Sequence, residues 1–377
     1  MKIAILDFDD IKNPLLNAGQ ARATFEVGRR LVKKGNKVTV ITSRYPGSRD
    51  RIEKGISYKH IGTGFANIKL NNLAYILSLP FTVRKLEADI IVECFTAPIS
   101  TLFSPLFTKI PVVGLPTMFA AEQFAKKYHL PFHLIEKIGC RFYKYCLPYS
   151  EYDNNKIKNV NQKIVTKIVP QGVGKEYFNI KQDKPKFILF LGRFDIQQKG
   201  IDLLLHAYSK IAKKVNWPLV IAGHGPDGRK VKSLIKDLKL DKYVKMVGPA
   251  YGNKKMKLLS RALFVAFPSR HDETPLFALE ALASGLPLVA FNIDGLAWLN
   301  DKVALKVKPL DIAEYAKTLE RACNEKVISN LRKNTRQFVK KYTWENVTNQ
   351  FEQFFQEILE REEENSRLGI RTAESLI

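Results

Sequence analysis

Three short segments hold residue types whose spacing could do chemistry. The first reads Leu191-Gly192-Arg193-Phe194-Asp195, then Lys199-Gly200-Ile201-Asp202. Arg193 follows an apolar run, and Lys199 stands just ahead of a helical run that starts near Ile201. Open α/β sheets bind ligands at the carboxyl ends of their strands. Two cations there, beside a positive helix N-terminus, suit a diphosphate. The plainer alternative is an Arg and a Lys that only face water. The second segment runs Phe267-Pro268-Ser269-Arg270-His271-Asp272-Glu273-Thr274 and on through Pro275-Leu276-Phe277-Ala278-Leu279-Glu280-Ala281. Pro275 suits the first turn of a helix. The free N–H groups of Thr274, Leu276 and Phe277 would then point at an anion. Glu280, about one turn inside, could accept two hydrogen bonds from a vicinal diol such as a ribose. The alternative makes Glu280 a solvated helix residue and Asp272 and Glu273 N-cap acids. Against it, the sequence neighbours Leu276, Phe277, Leu279 and Leu282 are apolar. The third segment, Asn17-Ala18-Gly19-Gln20-Ala21-Arg22, precedes the first long helical run. Gly19 would let a ligand approach the backbone closely, or would serve only a turn.

Holding these groups in place requires strands that end where they begin. Apolar, β-branched runs occur at 2–6, 37–42, 89–94, 111–115 and 164–169. A second set follows at 187–191, 219–222, 244–247, 263–267 and 287–290. Helical runs lie between them at 21–34, 201–214, 229–238, 254–260, 276–284 and 312–325. Most strand runs are continuously apolar, as parallel strands covered on both faces are. The alternation predicts doubly wound α/β sheets. Turn residues crowd 170–185, and the strand–glycine turn–helix pattern then restarts. Two Rossmann-like domains facing across a cleft are implied: 1–168, a linker at 169–185, and 186–341. An amphipathic helix follows over 342–363, with a frayed tail at 364–377.

At roughly 100–200 residues per domain, 377 residues also suggest two domains. Apolar residues make up 45% and charged residues 26%, which excludes disordered, collagen-like and low-complexity chains. The first residues read as a strand and not as a signal peptide. No run reaches the ~20 apolar residues of a spanning helix; the longest, 73–83, contains Pro80. A cytoplasmic protein is expected. Cys94, Cys140, Cys146 and Cys323 form no C-x-x-C pair, so free buried thiols are expected. Net charge is +24, with 26 basic and 13 acidic residues in 1–170 and 35 and 24 in the rest. Such a charge attracts anions: nucleic acid, an anionic membrane or phosphorylated small molecules. A generally basic proteome is the bland alternative. Cations and aromatics interleave from Phe119 to Tyr149, which fits either bilayer docking or a core with cations at its rim. Asp7-Phe8-Asp9-Asp10 looks like a metal-binding Asp-x-Asp or the first motif of haloacid-dehalogenase phosphatases. Ile11 and Lys12 follow it, however, and no later acid pair supports a magnesium site.

Taken together, the three segments resemble the retaining family 4 glycosyltransferases of the GT-B fold, over about residues 1–360. The specific parts are the Gly-Arg…Lys-Gly pair, the Pro-Ser-Arg loop with its spaced acids, and Glu280-Ala281-Leu282-Ala283-Ser284-Gly285-Leu286-Pro287. Val169-Pro170-Gln171-Gly172-Val173 is similar to the family's linker, and Tyr342-Thr343-Trp344 to the start of its last helix. The resemblance implies that this helix crosses back to the first domain. It also implies that Arg193 and Lys199 grip the donor diphosphate and that Glu280 holds the ribose. The first acid, Asp272 or Glu273, contacts the donor sugar, and Gly19 closes over the phosphates from the first domain. Thr274, Pro275, Leu276 and Phe277 form the anion-facing helix start.

The departures are specific. The usual first glutamate is Asp272 by alignment through Pro268-Ser269-Arg270, with Glu273 one residue late. Ala18 stands where a second glycine is usual. Thr117 takes the position of a His that often contacts the transferred sugar, and Trp298 replaces an acid, either buried or stacked on a sugar. The expected activity is transfer of a hexose from a nucleotide diphosphate sugar to an acceptor hydroxyl with retention. The acceptor would be a lipid-linked or polysaccharide precursor. No cofactor, no catalytic metal and no nucleic acid partner are expected. Peripheral contact with the anionic inner face of the cell membrane is. The alternatives are a sugar-nucleotide epimerase or phosphorylase of the same fold, and a catalytically degenerate membrane- or polyanion-binding relative.

Overall fold

In the computed structural model, which describes residues 1–16, 19–95, 101–117, 121–272 and 275–374, the chain divides into two compact units. The first is Met1–Gln171 together with Trp344–Ile377; the second is Gly172–Thr343.

The first unit is built on eight strands: β1 (Lys2–Leu6), β2 (Lys37–Ser43), β3 (Arg51–Glu53), β4 (Ile56–Ile61), β5 (Ile90–Phe95), β6 (Val112–Pro116), β7 (Tyr145–Cys146) and β8 (Val165–Thr166). Their order is β3-β4-β2-β1-β5-β6-β7-β8. Every pairing is parallel except β3 with β4. All six residues of β5 are buried, as a strand covered on both faces requires. β1 lies between β2 and β5, so the winding reverses beside it. The crevice of such a sheet opens at that point, beyond Leu6 and Phe95. The helix Ile68–Arg84 lays Tyr75, Leu79 and Val83 into the core with Leu6, Phe8 and Ile91. The helix Trp344–Glu374 buries Trp344, Val347, Phe351, Phe354, Phe355 and Ile358. It is tied to this unit by Glu352, which accepts hydrogen bonds from Lys34 and, at 2.8 Å, from Asn36.

The second unit has six parallel strands: β9 (Phe187–Leu191), β10 (Leu219–Ala222), β11 (Val244–Met246), β12 (Ala262–Phe267), β13 (Leu288–Phe291) and β14 (Ala304–Val307). Their order is β11-β10-β9-β12-β13-β14. Here the reversal falls between β9 and β12. The two motif segments are the loops that leave those two strands.

Several expectations need correction. The tail expected at 364–377 continues the last helix as far as Glu374. The expected linker is part of the second unit from Gly172 onward: Ile180 is buried in its core, and Gln182 Nε2 donates to the Ser284 carbonyl at 2.6 Å. The antiparallel ribbon β3–β4 and the helices Ile68–Arg84 and Glu325–Val339 lie where no element was expected. The last two are a nearly charge-free run, read only as too short to span a membrane, and a run broken by polar residues. Each is capped by an asparagine, Asn67 or Asn324, and buries one face.

Candidate functional site

The β9 loop and the β12 loop are locked together by backbone and by one arginine. Gly200 sits at φ +61, and a Cβ there would stand 2.0 Å from the Pro268 carbonyl oxygen. Only glycine meets both demands. Arg270 N–H donates to the Gln198 carbonyl at 2.9 Å, and its guanidinium donates to the Ile196 carbonyl at 2.6 Å. The same guanidinium forms a two-pronged pair with Asp202 at 2.8 and 2.7 Å, which raises its already high pKa. This fork geometry fixes direction as well as distance. A third loop, after β10, is pressed on the first: Gly223 lies at φ +146, and a Cβ would stand 1.9 Å from the Gly192 carbonyl oxygen.

On this frame the two predicted cations stand on the segment that leaves β9, Arg193 ahead of the short helix Ile196–Lys199 and Lys199 at its end. Arg193 is exposed, its guanidinium held by Asp195 at 3.1 Å and Gln198 at 2.9 Å. Asp195 also caps the short helix Ile196–Lys199 by accepting from Gln198 N–H at 3.1 Å. Lys199 ends that helix and pairs through Nζ with Oδ1 of Asp272 at 2.5 Å. The β9 loop's second cation and the β12 loop's first acid are thus in contact. The other oxygen of Asp272, Oδ2, is buried and has no hydrogen-bond partner among the described residues. A buried acceptor left open is costly, and a donor hydroxyl of a ligand would satisfy it.

The helix Leu276–Ala283 follows Pro275 as its N-cap residue, and among the described residues no side chain caps it. Its first N–H groups, those of Leu276 and Phe277 included, are therefore left for a ligand or solvent. Glu280 is mostly buried. Its Oε1 accepts from the Tyr177 hydroxyl at 2.6 Å and its Oε2 from Lys255 Nζ at 2.5 Å. Lys255 lies over the rings of Tyr177 and Phe277, at 5.3 and 5.6 Å. Glu280 is thus neither free in solvent nor bare among apolar groups. Glu273 and Thr274 lie outside the described residues. Trp298 is half-buried against Phe338 and Tyr342, with Nε1 donating to the Gly295 carbonyl at 2.9 Å. Those contacts account for its ring by packing.

In the first unit Gly19 is exposed and begins the helix Gly19–Lys33. Thr117 follows β6, and its hydroxyl donates to the Phe95 carbonyl at the end of β5. The acids after β1 have structural partners. Asp10 forms a two-pronged pair with Arg51, both bonds 2.7 Å, and lies 3.0 Å from Nε2 of His60. Those partners hold its carboxyl well below the usual range, against the cost of burial. Burial raises Asp7 to about 7, although Thr24 Oγ1 donates to it at 2.5 Å. Among the described residues no group of three His, Cys, Asp or Glu could hold a metal ion.

Residues 176–342, nearly all of the second unit, match one protein family. That family is described as glycosyl transferases group 1. An uncharacterized glycosyltransferase of Methanocaldococcus jannaschii is 32% identical over 173 residues, 44% of this chain and 43% of that protein. The chain thus matches less than half the length of that relative. Over its whole length the chain has the GT-B fold. It is similar to the sucrose-phosphate synthase of Thermosynechococcus elongatus, with TM-score 0.77 and 18% identity over 96% of this chain and 99% of that one. It is also similar to HepE of Anabaena, solved with UDP and glucose, with TM-score 0.72 and 15% identity over 95% and 99%.

Within the matched region, the sequence does not mark Arg270, Lys255 and Tyr177 as site residues. Arg270 was visible only as part of a motif, because its partner Asp202 is a helix residue far away in sequence. Lys255 sits on a helix rich in lysines, so nothing in the sequence singles it out. Tyr177 lay inside the expected linker.

Proposed function

We propose that the chain transfers a hexose from a nucleotide diphosphate sugar to an acceptor hydroxyl, with retention of configuration. One observation carries this reading. At the reversal point of the second sheet, Arg193, Lys199 and Asp272 sit on the adjoining segments that leave β9 and β12, and the helix Leu276–Ala283 that follows the β12 segment carries Glu280. Cations and N–H dipoles suit a diphosphate. Glu280 suits a ribose diol, and the open oxygen of Asp272 suits a sugar hydroxyl.

In this reading the bond between the anomeric carbon and the diphosphate oxygen breaks, and its electron pair leaves with the diphosphate. Arg193, Lys199 and the helix start meet the charge that develops there. The acceptor oxygen bonds to the anomeric carbon on the same face. Its proton passes to the departing phosphate oxygen, so no side-chain nucleophile is invoked. Charge stabilisation is assigned to side chains and not to a metal, and turnover measured in excess chelator checks that assignment. The first unit would hold the acceptor, a lipid-linked or polysaccharide precursor. The UDP and glucose seen with HepE support a nucleotide sugar as donor without naming the base or sugar for this chain.

The test is thermal unfolding with UDP, GDP, ADP and CMP, on the native protein and on Glu280→Ala. A ligand at 100 times its dissociation constant adds about 2.7 kcal/mol. A shift with one nucleoside diphosphate, absent in Glu280→Ala, is expected. No shift with any nucleotide would overturn the reading. Incubation with the donor alone separates the epimerase alternative, which needs no acceptor.

A further inference from the structure

The helix Ile68–Arg84 is apolar on both of its sides, yet only one side is covered. Its inner face is Asn71, Tyr75, Leu79 and Val83, all buried. Its outer face is Leu70, Leu73, Leu77 and Phe81, which are 49, 54, 63 and 67% exposed. The spacing of three and four residues places these four in one stripe. Between Lys69 and Arg84 the helix carries no charge. A helix apolar all round is normally buried all round, and soluble monomers seldom leave so large an apolar patch in water. The stripe does not end with the helix. Lys69 Nζ lies 5.6 Å over the ring of Tyr128, which meets Phe132 edge-on at 6.4 Å. Phe132 starts the helix Phe132–Gly139, where Leu134 and Ile138 are again about half-exposed.

Charge decides the occupant. The outer stripe is bracketed by the exposed cations Lys69, Arg84 and Lys85, and the second helix by exposed Lys126, Lys137 and Arg141. The nearest acid on that second helix, Glu136, is buried and paired with Lys156. A second copy of the chain would bring the same cations and the same +24, so two such faces repel. An apolar stripe with a cationic rim fits a surface that is anionic at its boundary and apolar just below it. We propose that this face of the first unit docks on an anionic lipid bilayer, with Leu70, Leu73, Leu77 and Phe81 entering the headgroup–acyl boundary. The helix lies on the membrane and does not cross it. Its 17 residues span about 25 Å, short of the ~30 Å hydrocarbon core, and no described helix is long and apolar enough to cross. Of the interleaved stretch from Phe119 to Tyr149, Tyr143, Tyr145 and Tyr149 are core residues, so only its first part shares this face. The proposal stands independently of the transferase reading, although it suits a lipid-linked acceptor.

Flotation of the purified chain with vesicles tests it. Binding to mixed phosphatidylglycerol–phosphatidylcholine vesicles is expected, with little binding to phosphatidylcholine alone, and salt should weaken it. Leu77→Asp with Phe81→Asp should weaken binding roughly a hundredfold, about tenfold for each side chain withdrawn. Both side chains are mostly exposed, so the fold is retained, as a melting curve identical to that of the native chain would show. The thermal shift with nucleotide should be the same in native and doubly substituted protein. Replacing Lys69, Arg84 and Lys85 with Gln should abolish the preference for the anionic vesicles. Three results would overturn the proposal: a native chain that ignores anionic vesicles, a double variant that binds as well as the native chain, or a native dimer that the double variant turns into a monomer. None of these depends on Glu280, so a failed nucleotide shift leaves the docking result readable.

Discussion

The two units place charge at the ends of their central strands in opposite ways. Beyond β1 in the first unit, Asp7 and Asp10 are buried, and each is spent on a neighbour: Thr24 for one, Arg51 and His60 for the other. Beyond β9 and β12 in the second unit, Arg193 is exposed, and Lys199, Asp272 and Glu280 keep part of their surface. One oxygen of Asp272 is left without a partner among the described residues. A charge that is wholly buried and paired within the protein can hold a fold but has little left for a ligand. A charge held in position with valence to spare can do both. Under the proposed function the donor would lie on the second unit, while the acids of the first have structural partners.

The largest effect expected from this contrast is on stability. Asp10→Ala leaves Arg51 and His60 without their shared carboxylate. Removing one partner of a buried ion pair costs about 3–5 kcal/mol. Denaturant unfolding should show that loss. Nucleotide binding by the surviving folded protein should be unchanged, since its groups belong to the other unit. A variant that stays stable but loses nucleotide binding would break the contrast.

Asp7 tests the same unit through pH. In the folded chain it holds its proton up to about pH 7, whereas an unfolded Asp releases it near 3.8. The folded state therefore binds more protons between those values, and the native chain loses stability as pH rises from about 4 to 7. The loss amounts to about 4 kcal/mol at most. Asp7→Asn cannot titrate, so its stability relative to the native chain should rise over that window and level off above it. Contributions from other buried acids, such as Glu93 and Asp153, whose pKa values are also raised, cancel in the comparison. Parallel stability curves for the two proteins would remove Asp7 from the account.

How much was legible in the sequence follows the same division. The central strands of both sheets are continuous apolar runs whose burial needs no long-range information, and they were readable to within a residue or two. So were the glycine turns and the cations that follow them. The ribbon β3–β4 was not readable, because only three of its residues, Ile56, Tyr58 and His60, are buried. The outer stripe of Ile68–Arg84 was hidden for the opposite reason: with apolar residues on every side, no periodicity shows which side is covered. At the site, Arg193, Lys199, Asp272 and Glu280 stand beside strand ends and could be named. Lys255, Tyr177 and Arg270 act through partners tens of residues away, and composition gives them no mark.

The second unit's half of the contrast is sharpened by Arg193→Ala. Its cost should resemble the loss of one oxyanion donor, roughly 10²–10³ in turnover, with stability nearly unchanged because the side chain is exposed. Unchanged turnover would remove Arg193 from the donor site.

The smallest effect should come from Arg270→Lys. Arg270 touches no ligand in the reading above; it acts by clamping the β9 loop to the β12 loop. A lysine keeps the charge but offers one donor direction where the guanidinium spans both oxygens of Asp202 and the Ile196 carbonyl. The lost charge-assisted bonds are worth about 1.5–3 kcal/mol at most. Only part of that should reach the donor, through a looser spacing between Arg193, Lys199 and Asp272. The donor KM should rise about tenfold, kcat should fall less, and the pH profile should keep its shape. Arg270→Ala should do more, and Asp202→Ala should match Arg270→Lys more closely than it matches Arg193→Ala. If Arg270→Lys lowers kcat as far as Arg193→Ala does with KM unchanged, Arg270 meets the reacting phosphate directly, and the clamp reading of the two loops is wrong.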